Sequence, residues 1–129
     1  MARILVCEDD KLLSRIIERI LCGENHEVTL VTDGNSAIDK LRLNHFDLIV
    51  SDINMPGKSG MQIVYFIRNI IQLPTPILLT SASSNSDQVR RAKKRGANDF
   101  LPKPFAVDRL KRKTNQLLQN HKRLSIISA

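Results

Sequence analysis

Short, unbroken apolar runs alternate along this chain with stretches whose apolar residues recur every three or four positions. Ile4-Leu5-Val6-Cys7 is the first run, the pattern of a parallel strand covered on both faces. Leu12, Leu13, Ile16, Ile17, Ile20 and Leu21 then follow at helical spacing and predict an amphipathic helix over 11–22. Asp10 is placed to cap it, and Gly23 and Asn25 to end it. The cycle repeats. Val28–Val31 reads as a second strand and Ser36–Asn44 as a second helix. Phe46–Val50 is a third strand, followed by a turn-rich loop from Asp52 to Gly60 and a third helix over Met61–Ile71. Pro76 opens a fourth strand, Ile77–Thr80, and Asp87–Arg95 is a helix stopped by Gly96. Phe100-Leu101 marks a fifth strand, and Val107, Leu110, Leu117, Leu118 and Leu124 supply the apolar face of a long last helix.

Five successive β-α units predict an α/β fold, an open parallel sheet with helices on both faces. With 129 residues and no internal linker, one domain is expected over 1–123, with 124–129 a short tail or the start of a connection. No apolar run reaches the ~18–20 residues that span a bilayer. The start lacks the layout of a secretory signal, so a cytoplasmic protein without membrane contact is expected. Cys7 and Cys22 both sit in apolar stretches and read as small core residues rather than a disulfide. His26, His45 and His121 show no ligand spacing and read as surface residues.

Charge changes the picture more than composition does. The net charge is +7, but residues 1–89 carry 8 basic and 11 acidic side chains, whereas residues 90–129 carry 12 basic and 2 acidic. The basic end points to an acidic partner, nucleic acid or an anionic surface, against the plainer reading of a solvated basic helix.

In open α/β sheets, ligands bind beyond the carboxyl ends of the strands. Reading only those ends gives Glu8, Asp9 and Asp10 after the first strand and Asp52 after the third. Thr80 and Ser81 follow from the fourth, and Lys103 and Pro104 from the fifth. Several carboxylates in one crevice repel each other unless a cation joins them, and an all-oxygen donor set suits a hard ion, Mg²⁺ or Mn²⁺. A carboxylate beside such an ion can take a phosphoryl group, with the ammonium and a hydroxyl to neutralise and hold it.

These residues resemble the receiver domains of two-component response regulators, the chemotaxis-regulator-like switches. The resemblance rests on Ile-Leu-Val-Cys-Glu-Asp-Asp at 4–10, on Asp52-x-x-Met-Pro-x-x-x-Gly60, and on Gly96-Ala-Asn-Asp-Phe-Leu-Pro-Lys-Pro-Phe105. It covers about Arg3 to Arg123. It implies a flavodoxin-like (βα)5 fold with strand order 2-1-3-4-5. It further implies that Asp52 is the phosphoacceptor, that Glu8 and Asp9 form the acidic pair, and that Asp9, Asp52 and the Asn54 carbonyl ligate the metal. Lys103 would contact the phosphoryl group, and the Lys103–Pro104 bond would be cis. The switch hydroxyl falls on Ser81, 22 residues before Lys103, with Thr80 the second choice; Phe100 falls where the family has its rotating aromatic, expected to turn inward on phosphorylation.

The function implied is a phosphoacceptor switch charged by a histidine kinase or histidine phosphotransfer protein. It would be no enzyme beyond its own phosphorylation and dephosphorylation. Its output face would be the fourth helix, fifth strand and fifth helix. The excess of Arg and Lys on those two helices suggests an acidic protein or companion domain there. The enzyme alternative is a small Mg²⁺-dependent phosphatase of the haloacid-dehalogenase type. It would need a second Asp two residues after the first, and Asn54 stands there. Direct nucleic-acid binding is disfavoured, because aromatics are 4% of the chain and Trp is absent.

Overall fold

The computed structural model describes residues 1–83 and 85–128, with side chains up to Leu124. Five parallel strands, β1 (Arg3–Cys7), β2 (Glu27–Val31), β3 (Leu48–Asp52), β4 (Ile77–Ser81) and β5 (Asp99–Pro102), form one sheet in the order β2-β1-β3-β4-β5. The helices are α1 (Lys11–Gly23), α2 (Gly34–Leu43), α3 (Gly60–Tyr65), α4 (Ser86–Arg95) and α5 (Val107–Ser128). The flavodoxin-like fold and strand order are those expected.

Central strands β3 and β4 are buried along their whole length, whereas edge strands β2 and β5 are not. This is why each central strand opens on three consecutive apolar residues, the polar Ser51, Asp52, Thr80 and Ser81 coming only at the carboxyl ends. Alternation along the strands splits the core into two layers. Ile4, Val6, Val50, Leu78 and Leu101 pack against α1 and α5 through Ile17, Leu21, Leu110 and Leu117. On the opposite face Leu5, Ile49 and Leu79 meet Ala37, Ile63 and Ala92 of α2, α3 and α4.

Several local expectations shift. Asp10 does cap α1, accepting from the Leu13 N–H at 3.0 Å. The buried stripe of α1, however, is narrower than its apolar sequence: Leu12 is 73% and Ile16 43% exposed. Cys22 is exposed rather than in the core, one position (~100° of helix) past the inward Leu21. Strand β3 begins two residues later than expected and runs through Asp52, although Phe46 is still buried. The third helix is not regular to its end. A π-turn over Phe66–Ile70 follows α3, with the Ile71 N–H bonding the Phe66 carbonyl at 3.0 Å. Helix α5 continues through the expected tail to Ser128; Ala129 lies outside the described residues. Among the described residues, no helix is long and apolar enough to cross a membrane.

Candidate functional site

The sheet ladder continues past the strand ends, and that continuation sets the site. The Glu8 N–H donates to the Val31 carbonyl at 3.0 Å, the Ile53 N–H to Thr80 at 2.9 Å and the Lys103 N–H to Ser81 at 2.8 Å. Each segment is thus held in register as it leaves the sheet, and Glu8, Asp52 and Lys103 meet at one rim. Lys103 Nζ donates to Glu8 Oε1 at 2.6 Å and to Asp52 Oδ2 at 2.7 Å. Charge-assisted bonds this short are the strong ones. The remaining carboxylate oxygens are also occupied: Glu8 Oε2 accepts from the Asp10 N–H at 3.1 Å, and Asp52 Oδ1 from the Asn54 N–H at 3.1 Å.

Burial governs the electrostatics. Glu8 is 1% and Asp52 7% exposed. Desolvation raises the Glu8 pKa above the usual carboxylate range, with the Lys103 hydrogen bond pulling against it. For Lys103, burial alone would lower the pKa, but the bonds to Asp52 and Glu8 outweigh it and hold the ammonium above its ordinary value. Asp9, exposed on the same rim, completes a group: one oxygen each from Glu8, Asp9 and Asp52 lies within 4.8 Å of the others. Three carboxylates against one ammonium leave a formal charge of −2, the deficit a divalent cation would cancel.

The loop after β3 folds back on its own strand. The Gly60 N–H donates to the Ile53 carbonyl at 2.8 Å, and a Cβ at Gly60 would stand 2.8 Å from Ile53 Cα. Only glycine allows that approach. Ser59 then caps α3 in a reciprocal capping box with Gln62, starting the helix immediately beside Asp52. The expected Asn54 carbonyl sits in this loop, but what sequence reading missed is the Asn54 N–H, which steadies Asp52. The Lys103–Pro104 bond is cis, as expected.

Two hydroxyls remain at the rim. Thr80 pairs with Asp52 across the ladder and, two residues on from Leu78, lies on the α1/α5 face. Ser81, two residues on from Leu79, lies on the opposite face, which Phe100 shares. Ser81 Oγ donates to the Ser83 carbonyl at 3.1 Å and accepts from the Ser83 N–H at 3.2 Å. Phe100 is buried, 5% exposed, in the core layer beneath α3 and α4. A phenyl ring has no hydroxyl to keep in water, and burial is its favoured state. Cys7 lies just before this site, buried, its thiol pushed up to about 12 chiefly by burial, and is chemically inert there.

The family model described as "Response regulator receiver domain" matches residues 4–115. Response regulator ArlR of Staphylococcus aureus is 32% identical over 127 residues, 98% of this chain; the chain spans 57% of that protein's length. The Francisella response regulator 1452 receiver domain superimposes with a TM-score of 0.88 at 28% identity, covering 93% of this chain and 98% of that one. The chemotaxis response regulator CheY4 of Vibrio cholerae does so with 0.85 at 30% identity, covering 91% and 98%. The chain belongs to the response regulator receiver domains of two-component signalling.

Proposed function

We propose that Asp52 is the phosphoacceptor of this receiver and that Glu8, Asp9, Asp52 and the Asn54 carbonyl hold Mg²⁺ or Mn²⁺. The observation that carries the reading is Lys103 Nζ seated between Glu8 and Asp52, with Asp9 beside them, in a rim whose charge is left negative. The donor set fits a hard divalent ion, which when bound supplies the charge neutralisation that lets phosphate approach carboxylates.

An Asp52 carboxylate oxygen attacks the phosphorus of a phosphohistidine. The O–P bond forms as the P–N bond breaks, and the bonding pair leaves with the imidazole. Lys103, already held over Asp52 Oδ2, stays within reach of the incoming phosphoryl oxygens. Ser81 Oγ exchanges its Ser83 carbonyl partner for a phosphoryl oxygen while still accepting from the Ser83 N–H, so that its shift carries Ser83 along; Thr80 is the second choice for this role. Phe100, on the same face as Ser81, is the switch aromatic of this reading. The change is read on α4, β5 and α5.

The donor is a histidine kinase or phosphotransfer protein. The nearest exposed apolar surface is a cleft of about 480 Å³ lined by Leu13, Ile16, Ile20, Lys103, Phe105 and Val107. A donor helix seated there would bring its histidine to the rim. The phosphatase reading loses ground because Asn54 carries an amide where the general acid's carboxyl would stand.

Incubation with acetyl phosphate and Mg²⁺, followed by intact mass, tests the assignment. The wild-type chain is expected to gain one phosphoryl mass, and Asp52→Asn or excess chelator to gain none. Unchanged labelling of Asp52→Asn would remove the proposal.

A further inference from the structure

The chain carries no carboxylate between Asp52 and Asp87, and residues 53–98 hold 7 basic side chains against 1 acidic. The fold gathers this imbalance on one side, over α3, the π-turn and α4. Arg90, Arg91, Lys93, Lys94 and Arg95 are all exposed. Among the described residues, only Arg90 of these five has an ion pair, with Asp87 at 3.2 Å. The α5 side differs, because Lys113 is already taken by Asp99 at 3.0 Å and Asp108 lies nearby. Arg109, Lys111 and Arg112 leave the α5 side basic as well, so the groove beside α3, rather than charge alone, distinguishes the two sides.

Beside it lies a groove of mixed lining, apolar on the α3 and π-turn wall and basic on the α4 wall. A cavity of about 490 Å³ is lined by Met61, Tyr65, Asn69, Lys94 and Arg95. It shares Met61, Tyr65 and Arg95 with a second of about 350 Å³ that adds Ile70 and Lys58, and Lys94 with a third of about 320 Å³ that adds Arg91 and the paired Arg90 and Asp87. Tyr65 and Ile70 are 60% and 57% exposed. The walls are fastened together: Arg68 on the π-turn donates to the Gly96 carbonyl at 3.0 Å and to Asn98 Oδ1 at 2.9 Å, just past α4. A groove set in advance avoids the cost of ordering it on binding.

We propose that the α3/α4 groove docks an acidic amphipathic segment of a partner protein, its apolar side chains on Tyr65 and Ile70 and its carboxylates against Lys94, Arg95 and Arg91. The 10 residues of α4 span ~15 Å, room for two to three helical turns. Nucleic acid would find a single exposed ring, Tyr65, where stacking needs several. A symmetric second copy would set the same cations face to face. The surface exists without phosphate on Asp52, so its test and that of the phosphoacceptor fail separately.

The probe is a labelled 14-residue helical peptide with Leu at i, i+3, i+4 and i+7 and Glu elsewhere. It is compared with its Gln-for-Glu counterpart by anisotropy on the unphosphorylated chain. The Glu peptide is expected to bind at least ~10-fold tighter, and to weaken ~10-fold between about 50 and 300 mM salt. Lys94→Glu with Arg95→Glu is expected to cost ~10-fold or more, and Tyr65→Ala ~5-fold with no change of charge. The control pair Lys111→Glu with Arg112→Glu is expected to cost less than ~3-fold. Equal loss in both charge-reversed pairs would reduce the effect to net charge and overturn the groove. So would a single-stranded oligonucleotide binding tighter than the Glu peptide, or a dimer of the chain abolished by the Lys94/Arg95 reversal.

Discussion

The two ends of the sheet are made by the same five strands and have opposite chemistry. At the amino ends, polar groups satisfy one another locally. The Ala2 N–H donates to His26 Nδ1 at 3.2 Å, the Arg3 N–H to Asp47 Oδ2 at 2.8 Å, and His45 sits 3.4 Å from Asp47. These groups close an edge, and burial together with the nearby amino terminus lowers the His26 pKa, favouring the neutral acceptor its bond needs. At the carboxyl ends, two buried carboxylates share one ammonium and stay short of positive charge. The amino rim satisfies its polar groups internally, whereas the carboxyl rim keeps an excess of negative charge that a divalent cation would offset. Position along the strand, not composition, separates scaffold from site.

Three substitutions sharpen this contrast. Lys103→Ala leaves Glu8 and Asp52 facing each other without a counter-charge. Metal-free unfolding should show a loss of about 3 kcal/mol, the scale for breaking a buried pair, with part of it recovered on adding Mg²⁺. A loss without Mg²⁺ recovery would mean that Lys103 acts as packing alone. Gly60→Ala forces a Cβ against Ile53 and the end of β3, so denaturant titration should show a loss of about 2 kcal/mol, accompanied by slower labelling of Asp52. Asp47→Ala removes the acceptor of the Arg3 N–H and should cost only about 1 kcal/mol while leaving phosphoryl labelling untouched. Should it slow labelling as much as Gly60→Ala, the two rims are coupled and the contrast fails.

The sheet was legible in the sequence because burial on both faces leaves β1, β3 and β4 with uninterrupted apolar runs. The rim was legible because topology sends every strand end to the same place. What escaped was set by contacts distant in sequence. The exposure of Leu12, Ile16 and Cys22 depends on how much of α1 the sheet can cover, and six apolar residues cannot reveal which of them lose. The π-turn after α3 has no local signature; it coincides with Arg68, whose partners Gly96 and Asn98 lie 28 and 30 residues on. The three histidines looked scattered, yet His26, His45 and His121 line one cavity with Asp47 at the amino rim. Proximity of that kind comes from the fold.

The ammonium between Glu8 and Asp52 comes from 95 and 51 residues further along the chain. A polypeptide emerging from the ribosome has displayed both acids well before it owns their cation. Until the fifth strand docks, the crevice is only mutually repelling carboxylates. The fold thereby authenticates itself, since the machinery for receiving a signal comes into being only with the last strand in place.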